Sequence, residues 1–354
     1  MNTLNKRYTL HLASEADSQE VKELYEADDF DGDIQVQFLR NPDVFKSLQN
    51  EGEKLVLMLL RDTQNNHQAI AVGTCIIRKE YINRIKKRIG YLTGLKILPA
   101  YRKKLRIIPA LYAYLNEQTR NDVDIYYTTI LKSNLVAQKM LEKKHANMPA
   151  YHYHNDYTVY LFSPKHSNNT TYSLQRGFTP ELKIYYQKHL SAYDFTPSEI
   201  EKYMIPDEMF FHLHNRNNEI VAACVVWNQQ KTKQYKVSGY KGIYRFSPYI
   251  PSRLFGYPRF PKPNTNCDYL TYAFLRARDN DPAIAEILIR KTSQLFPQAD
   301  FLMLGLHASS PFNVIFEKIK HIKYQSRFYT VSWEKEDLYK PHPDIPIGLE
   351  TGLL

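Results

Sequence analysis

Nine basic side chains and no acidic one fall between Arg84 and Arg106: Arg84, Lys86, Lys87, Arg88, Lys96, Arg102, Lys103, Lys104 and Arg106. That almost equals the +10 net charge of the whole 354-residue chain. Charge concentrated in this way favours an anionic ligand. The window also passes from an apolar extended run, Ile89–Leu98, into a helical pattern over Leu105–Asn121. A helix start presents free backbone N–H groups, which already favour phosphate. A second concentration, Asp28-Asp-Phe-Asp-Gly-Asp33, sets four carboxylates in six residues, a run that draws cations or simply stays solvated. It is not a calcium loop, because Gly32 is misplaced and Arg40 stands where the closing Glu would be.

Residues Ile220–Cys267 carry eight basic side chains and no acidic one, interleaved with Tyr and Phe. Aromatics that stack bases beside cations that follow phosphates are a nucleic-acid pattern. No base-reading motif accompanies this one, and Pro248, Pro251, Pro258, Pro261 and Pro263 suit an ordered loop, so nucleic acid is not the expected partner. His152/His154 and His212/His214 each place two rings on one strand face. Neither pair has an identifiable third ligand, and no metal is expected. With only 12 glycines, the chain holds no G-x-G-x-x-G and no G-x-x-x-x-G-K-[ST] cradle, and neither G-x-S-x-G nor H-E-x-x-H occurs. Three separated cysteines form no redox or disulfide framework. No apolar run approaches the length of a membrane span, and Met1–Ser14 lacks the apolar core of a signal peptide. A cytoplasmic protein without a membrane partner is the expectation.

The elements that must position these groups follow from the hydrophobic pattern. Tyr8–Ser14 reads as a strand and Ser18–Ala27 as a helix capped by Ser18. Asn41-Pro42 opens a further short helix. Strands follow at Lys54–Arg61, Ala69–Arg78 and Ile89–Leu98, then the helix Leu105–Asn121, the strand Ile125–Leu131, the helix Asn134–Lys144 and the extended run Tyr151–Phe162. Polar Ser163–Thr171, with Pro164, reads as a linker. The second half repeats the order of elements. Strands are expected at Tyr172–Phe178, Met209–His214, Ile220–Trp227, Asp268–Arg276, Phe301–His307 and Tyr324–Trp333, with helices at Pro180–Tyr193, Ser198–Met204, Pro282–Leu295 and Pro311–Lys320. The expected fold class is α/β (α+β): two domains, 1–163 and 164–340, each a mixed central β-sheet flanked by helices, and a tail over 341–354.

Tyr91-Leu-Thr-Gly-Leu-Lys-Ile-Leu-Pro-Ala-Tyr-Arg102 resembles the fourth strand of the GNAT acyltransferases (GCN5-related N-acetyltransferases), L-x-V-x-P-x-Y-R. Tyr127-Thr-Thr-Ile130, followed by Ser133-Asn134-Leu-Val-Ala137, is similar to that family's fifth strand and the N-x-x-A opening of its fourth helix. The order of elements in the first half fits the same fold, and the second half resembles it with weaker motifs, as in a tandem GNAT protein. The resemblance implies an N-acetyltransferase with acetyl-CoA or another acyl-CoA as co-substrate, held in a V-shaped opening between those two strands. By the same resemblance, the backbone amides of Leu95 and Ile97 would contact the thioester and pantetheine. Arg102, Lys103, Lys104, Leu105 and Arg106 would face the pyrophosphate, and Asn134 would reach the pantetheine arm. A small amine or peptide acceptor would attack the thioester directly. Tyr91, near the thioester position, would serve as acid, and Asp31 or Asp33, in the loop bordering the acceptor, as base.

The departures from the family pattern carry weight too. Leu105 and Ile107 occupy the two small positions of the pyrophosphate loop, where glycine lets backbone approach phosphate. Leu141 stands where the family's proton-donating tyrosine is usual, and Thr93 where an acid often serves as base. Two alternatives therefore stay open: a catalytically degenerate acyl-CoA-binding module, and a tandem-GNAT aminoacyltransferase using charged tRNA. The second half, with Arg276-Ala-Arg278-Asp-Asn-Asp-Pro282 at the phosphate-loop position, is expected to bind a partner, form a homodimer or shape the acceptor site.

Overall fold

The computed structural model describes residues 2–5, 7–27, 32–102, 107–143 and 148–354. In the first half it contains β1 (Asn2–Asn5), β2 (Tyr8–Leu12), α1 (Ser18–Glu26), β3 (Ile34–Leu39), α2 (Val44–Gln49), β4 (Lys54–Asp62), β5 (Gln68–Ile82), β6 (Ile85–Ile97), α3 (Ile107–Thr119), β7 (Ile125–Leu131), α4 (Leu135–Leu141) and β8 (Ala150–Phe162). In the second half follow β9 (Ser173–Arg176), α5 (Pro180–His189), β10 (Thr196–Pro197), β11 (Phe210–His214), β12 (Ile220–Trp227), β13 (Gln234–Tyr240), β14 (Thr265–Asn266), β15 (Tyr269–Ala277), α6 (Pro282–Ser293), β16 (Phe301–His307), α7 (Ile315–Lys318) and β17 (His321–Ser332).

One mixed sheet runs through both halves in the order β1-β2-β4-β5-β6-β7-β17-β8-β16-β15-β12-β11-β9, with β10 on β5. The halves exchange their last strands. The closing strand of the chain, β17, inserts between β7 and β8, and β8 passes on to pair with β16. A smaller sheet, β14-β13-β3, lies apart from it. Helices cover both faces of the large sheet, and the pleat sorts the core accordingly. Along β4, Leu57 and Leu59 pack with Val21 and Leu24 of α1 and Val44, Phe45 and Leu48 of α2. Val56, Met58 and Leu60, on the opposite face, pack with Leu111 and Leu115 of α3.

Several local expectations change. The first helical turn begins earlier than Ser18, in a short 3-10 stretch at Glu15–Asp17 capped by Ser14, whose backbone N–H donates to Asp17 Oδ2 at 2.8 Å. The second helix starts at Val44 rather than at Pro42, because the Asp43 carboxylate accepts the amides of Phe45 and Lys46. Ser198–Met204 forms only a 3-10 turn, Ile200–Lys202. Strands β5 and β6 extend to a two-residue hairpin at Asn83-Arg84, both left-handed at φ 50° and 66°. The nine-cation window is therefore not one patch. At about 3.3 Å per residue, Arg84 and Arg102 lie at opposite ends of a strand some ~40 Å long. At the hairpin end Arg88 pairs with Asp122 (3.4 Å) and Lys86 approaches Glu199 (3.9 Å).

Candidate active site

Strands β6 and β7 run parallel and pair only over Ile89–Tyr91 and Ile125–Tyr127. Both continue beyond that point without pairing to each other. β5 holds β6 on its far side, and β17 holds β7 through Ser326–Val331. The sheet therefore opens into a fork. Thr128 Oγ1 spans its base and donates to the Leu92 carbonyl at 2.7 Å. Past the base, β6 carries a bulge. Thr74 of β5 faces Thr93 and Val72 faces Lys96, so Gly73 opposes the two residues Gly94 and Leu95. Gly94 is left-handed at φ 62°, and a Cβ there would fall 2.0 Å from the Tyr25 hydroxyl. Only glycine fits between the bulge and α1. Tyr25 is buried and its hydroxyl lies 2.7 Å from Thr74 Oγ1. Beyond Tyr91 and Tyr127, then, no ladder pairing joins β6 to β7 among the described residues, and Thr93, Gly94 and Leu95 of the motif read above lie in this stretch.

On one face of the fork, Tyr91 stacks on Tyr127 with centroids 4.9 Å apart. The Tyr91 hydroxyl is held by burial above the ordinary tyrosine pKa, against the opposing influence of Thr129 and Thr93 nearby. It is a neutral phenol at neutral pH, able to donate a proton. Behind the ring pair lies a buried ionic cluster without a counterpart in the sequence reading. Arg78 sits over Tyr91 (5.4 Å) and bonds the Tyr127 hydroxyl. It also donates to the carbonyls of Glu51 and Leu353, each at 3.0 Å, and pairs with Glu80 at 2.5 Å. The Glu51 carboxylate accepts both Arg40 (2.6 Å) and Lys233 (2.7 Å). Burial works against the Glu51 charge, yet Arg40 and Lys233 hold its pKa below the ordinary value. Burial drives Lys233 down to about 8, against the pull of Glu51. The last residues, 345–354, run into this centre, where Lys233 Nζ donates to the Gly352 carbonyl at 2.8 Å. An adjoining cleft of about 370 Å³ is lined by Glu53, Lys79, Glu199 and Lys202, with Arg78 and Tyr203 on its inner wall.

The structure places the expected residues unequally. Tyr91, Leu95 and Ile97 lie together on β6 at the fork. Arg102 follows closely, its Nε donating to the Ile97 carbonyl at 3.0 Å. Asn134 is exposed beyond β7 and caps α4, its Oδ1 accepting the Ala137 amide at 3.1 Å. Leu141 is buried in the core beneath α4. Asp33 is exposed at the start of β3, on the smaller sheet rather than on the strands of the fork. Asp31, Lys103, Lys104, Leu105 and Arg106 lie outside the described residues. The paired histidines have other partners. His212 Nδ1 and His214 Nε2 lie 2.7 Å apart, and His154 pairs with Asp337 at 2.7 Å. Among the described residues no three His, Cys, Asp or Glu side chains converge. Gly94, one of two glycines in β6, was the sequence signal for the bulge. Arg78, in the apolar run of β5, was the only hint of the ionic cluster.

No protein-family model matches the chain, and no curated protein is significantly similar in sequence. Solved structures are similar. Saccharomyces cerevisiae N-myristoyltransferase with bound myristoyl-CoA matches at 11% identity and a TM-score of 0.61, over 97% of this chain and 85% of its own. A GCN5-related N-acetyltransferase from Sphaerobacter thermophilus matches at 11% identity and 0.57, over 98% of this chain and 100% of its own. The chain has a GNAT-like fold. A putative acetyltransferase from Pyrococcus horikoshii agrees, at 12% identity and 0.54, over 99% and 97% of the two chains. Strands β6 and β7 carry the two stretches singled out in the sequence. Among the described residues, no helix is long and apolar enough to cross a membrane.

Proposed function

We propose that this chain is an acyl-CoA-dependent N-acyltransferase that uses the β6–β7 fork to move an acyl group onto a primary amine. One observation carries the reading: the β6–β7 ladder stops at Tyr91 and Tyr127, and the Gly94–Leu95 bulge lies just past its end, on the edge of β6 beside the opening. Such an edge can receive an extended pantetheine arm as if it were another strand, and the bulged amides can polarise a thioester carbonyl. Leu95 and Ile97 would supply those amides, Arg102–Arg106 would hold phosphate, and Asn134 would reach the arm. Acyl-CoA would supply the activated carbonyl. The amine nitrogen attacks that carbon, the C–S bond breaks, and the Tyr91 hydroxyl protonates the departing thiolate. The amine's proton passes to Asp33 or to water. Two GNAT-like units in tandem, with their closing strands exchanged, are the reading of the chain that suits its repeated order of elements. A binding module without turnover is the second reading, favoured by one observation: Leu141 is packed into the core where a proton donor is usual.

Calorimetric titration with CoA, acetyl-CoA and myristoyl-CoA tests the proposal, alongside an Arg102→Ala/Lys103→Ala variant. Saturable binding weakened in the variant, followed by acyl transfer to an amine, is the expected result. Binding without transfer to any amine would select the second reading, and absence of binding to all three would overturn both.

A further inference from the structure

The segment between β13 and β14 presents large apolar side chains that the other described residues leave exposed. Ile243, Phe246, Tyr249 and Leu254 are 84%, 67%, 78% and 82% exposed, and Ile250 and Phe255 are exposed beside them. The backbone beneath is tied down. Ser252 Oγ donates to the Pro258 carbonyl (2.6 Å), the Tyr240 hydroxyl to Pro261 (2.7 Å), Ser163 Oγ to Tyr257 (2.5 Å) and Lys165 Nζ to Gly256 (2.9 Å). A loop held this firmly cannot fold its apolar tips back onto the core. Contiguous exposed apolar surface of this kind marks a contact surface.

Charge says what kind of contact. Residues 220–267 contain no acidic side chain. Lys241, Arg245, Arg259 and Lys262 are exposed around the apolar tips, and Lys320 lies 5.6 Å from the Tyr257 ring. Among the nearby acids, Asp300 is engaged by Arg259 at 3.4 Å and Asp268 accepts Gln230 at 3.0 Å, while exposed Asp33 adjoins Lys241. We propose that this face docks on an anionic lipid bilayer, with the aliphatic and aromatic tips entering the acyl boundary and the cations meeting the headgroups. Isoleucine and leucine tips offer nothing to stacked bases, which argues for lipid over RNA. A two-fold contact with a second copy would set the cationic rim against itself. The expectation of no membrane partner rested on the lack of a spanning stretch, and a peripheral surface needs none. The proposal is independent of acyl transfer. It does bear on where an acceptor is met, since Lys241 N donates to the Asp33 carbonyl at 2.7 Å on the same small sheet.

The test is co-sedimentation of the full chain with vesicles of phosphatidylcholine alone and with about 30% phosphatidylserine, at low and high salt. The expected result is binding to the anionic vesicles that weakens with salt. Phe246→Ser/Leu254→Ser and Arg245→Ala/Lys262→Ala should each reduce partitioning by about tenfold or more while leaving the melting temperature unchanged. Absence of sedimentation with either vesicle would overturn the proposal. So would binding to poly(U) without binding to vesicles. A dimer in size-exclusion chromatography that the Phe246→Ser/Leu254→Ser change dissociates would also overturn it, by making this face a self-interface.

Discussion

Gly94→Ala is the sharpest perturbation of the fork. Two penalties add at this position. Alanine at φ 62° costs roughly 1–2 kcal/mol for the left-handed backbone. Its Cβ would also meet the Tyr25 hydroxyl at 2.0 Å and Cζ at 2.6 Å, so α1 or the ring must move. Overpacking of that kind costs about 1–3 kcal/mol, and displacing Tyr25 from Thr74 adds about 1 kcal/mol for the lost hydrogen bond. The single substitution should therefore cost about 3–6 kcal/mol in denaturant unfolding. A double-mutant cycle separates the parts. In a Tyr25→Ala background the steric portion disappears, so Gly94→Ala should then cost only about 1–2 kcal/mol. Coupling of roughly 2 kcal/mol between positions 25 and 94 is the signature of the bulge pressed on α1. Additive effects, or a single-variant cost below about 1 kcal/mol, would refute the described geometry.

Other outcomes follow from the same structure. Glu51→Gln leaves Arg40 and Lys233 buried without a counter-charge and should cost about 3–5 kcal/mol by chemical denaturation; Lys233→Met, which leaves the Arg40–Glu51 pair intact, should cost distinctly less. Tyr91→Phe keeps the stacked ring but removes the proton donor, so acyl transfer should fall about 10²-fold or more with acyl-CoA affinity unchanged, measured by steady-state kinetics and calorimetry. Burial lowers both His212 and His307 to about 4. Between that value and the unfolded value near 6.5 the unfolded chain binds more protons. Stability should therefore fall as pH drops through that window, and His307→Asn should flatten the decline in melting temperature.

Much of the frame is legible in the sequence because local pattern decides it. The short apolar run of Lys54–Arg61, the apolar-rich stretch Ile89–Leu98 and the helical pattern around Pro109 give β4, β6 and α3 without reference to distant residues. What escapes is pairing set by long-range contact. Ile34-Gln-Val-Gln-Phe-Leu39 alternates as a strand should, but no local signal ties it to its partner β13, far along the chain. The insertion of β17 between β7 and β8 has no local signal, since either edge could have accepted it. The same limit hid the ionic cluster. Glu51 stands in Asn50-Glu-Gly52, which reads as a solvated turn, and it becomes a buried carboxylate only because Lys233 and residues 345–354 close over it. That Tyr91, Leu95 and Ile97 share one strand was legible because the extended run Ile89–Leu98 is continuous in sequence.

Amide hydrogen exchange across β6, followed with and without saturating acyl-CoA, tests the central claim most directly. If the fork receives the acyl-CoA arm along β6 beyond Tyr91, exchange should slow over Leu92–Leu98, and over Thr128–Leu131 to a lesser degree, and Gly94→Ala should abolish the effect. Calorimetric binding with unchanged exchange in β6, or with protection confined to another part of the chain, would contradict it.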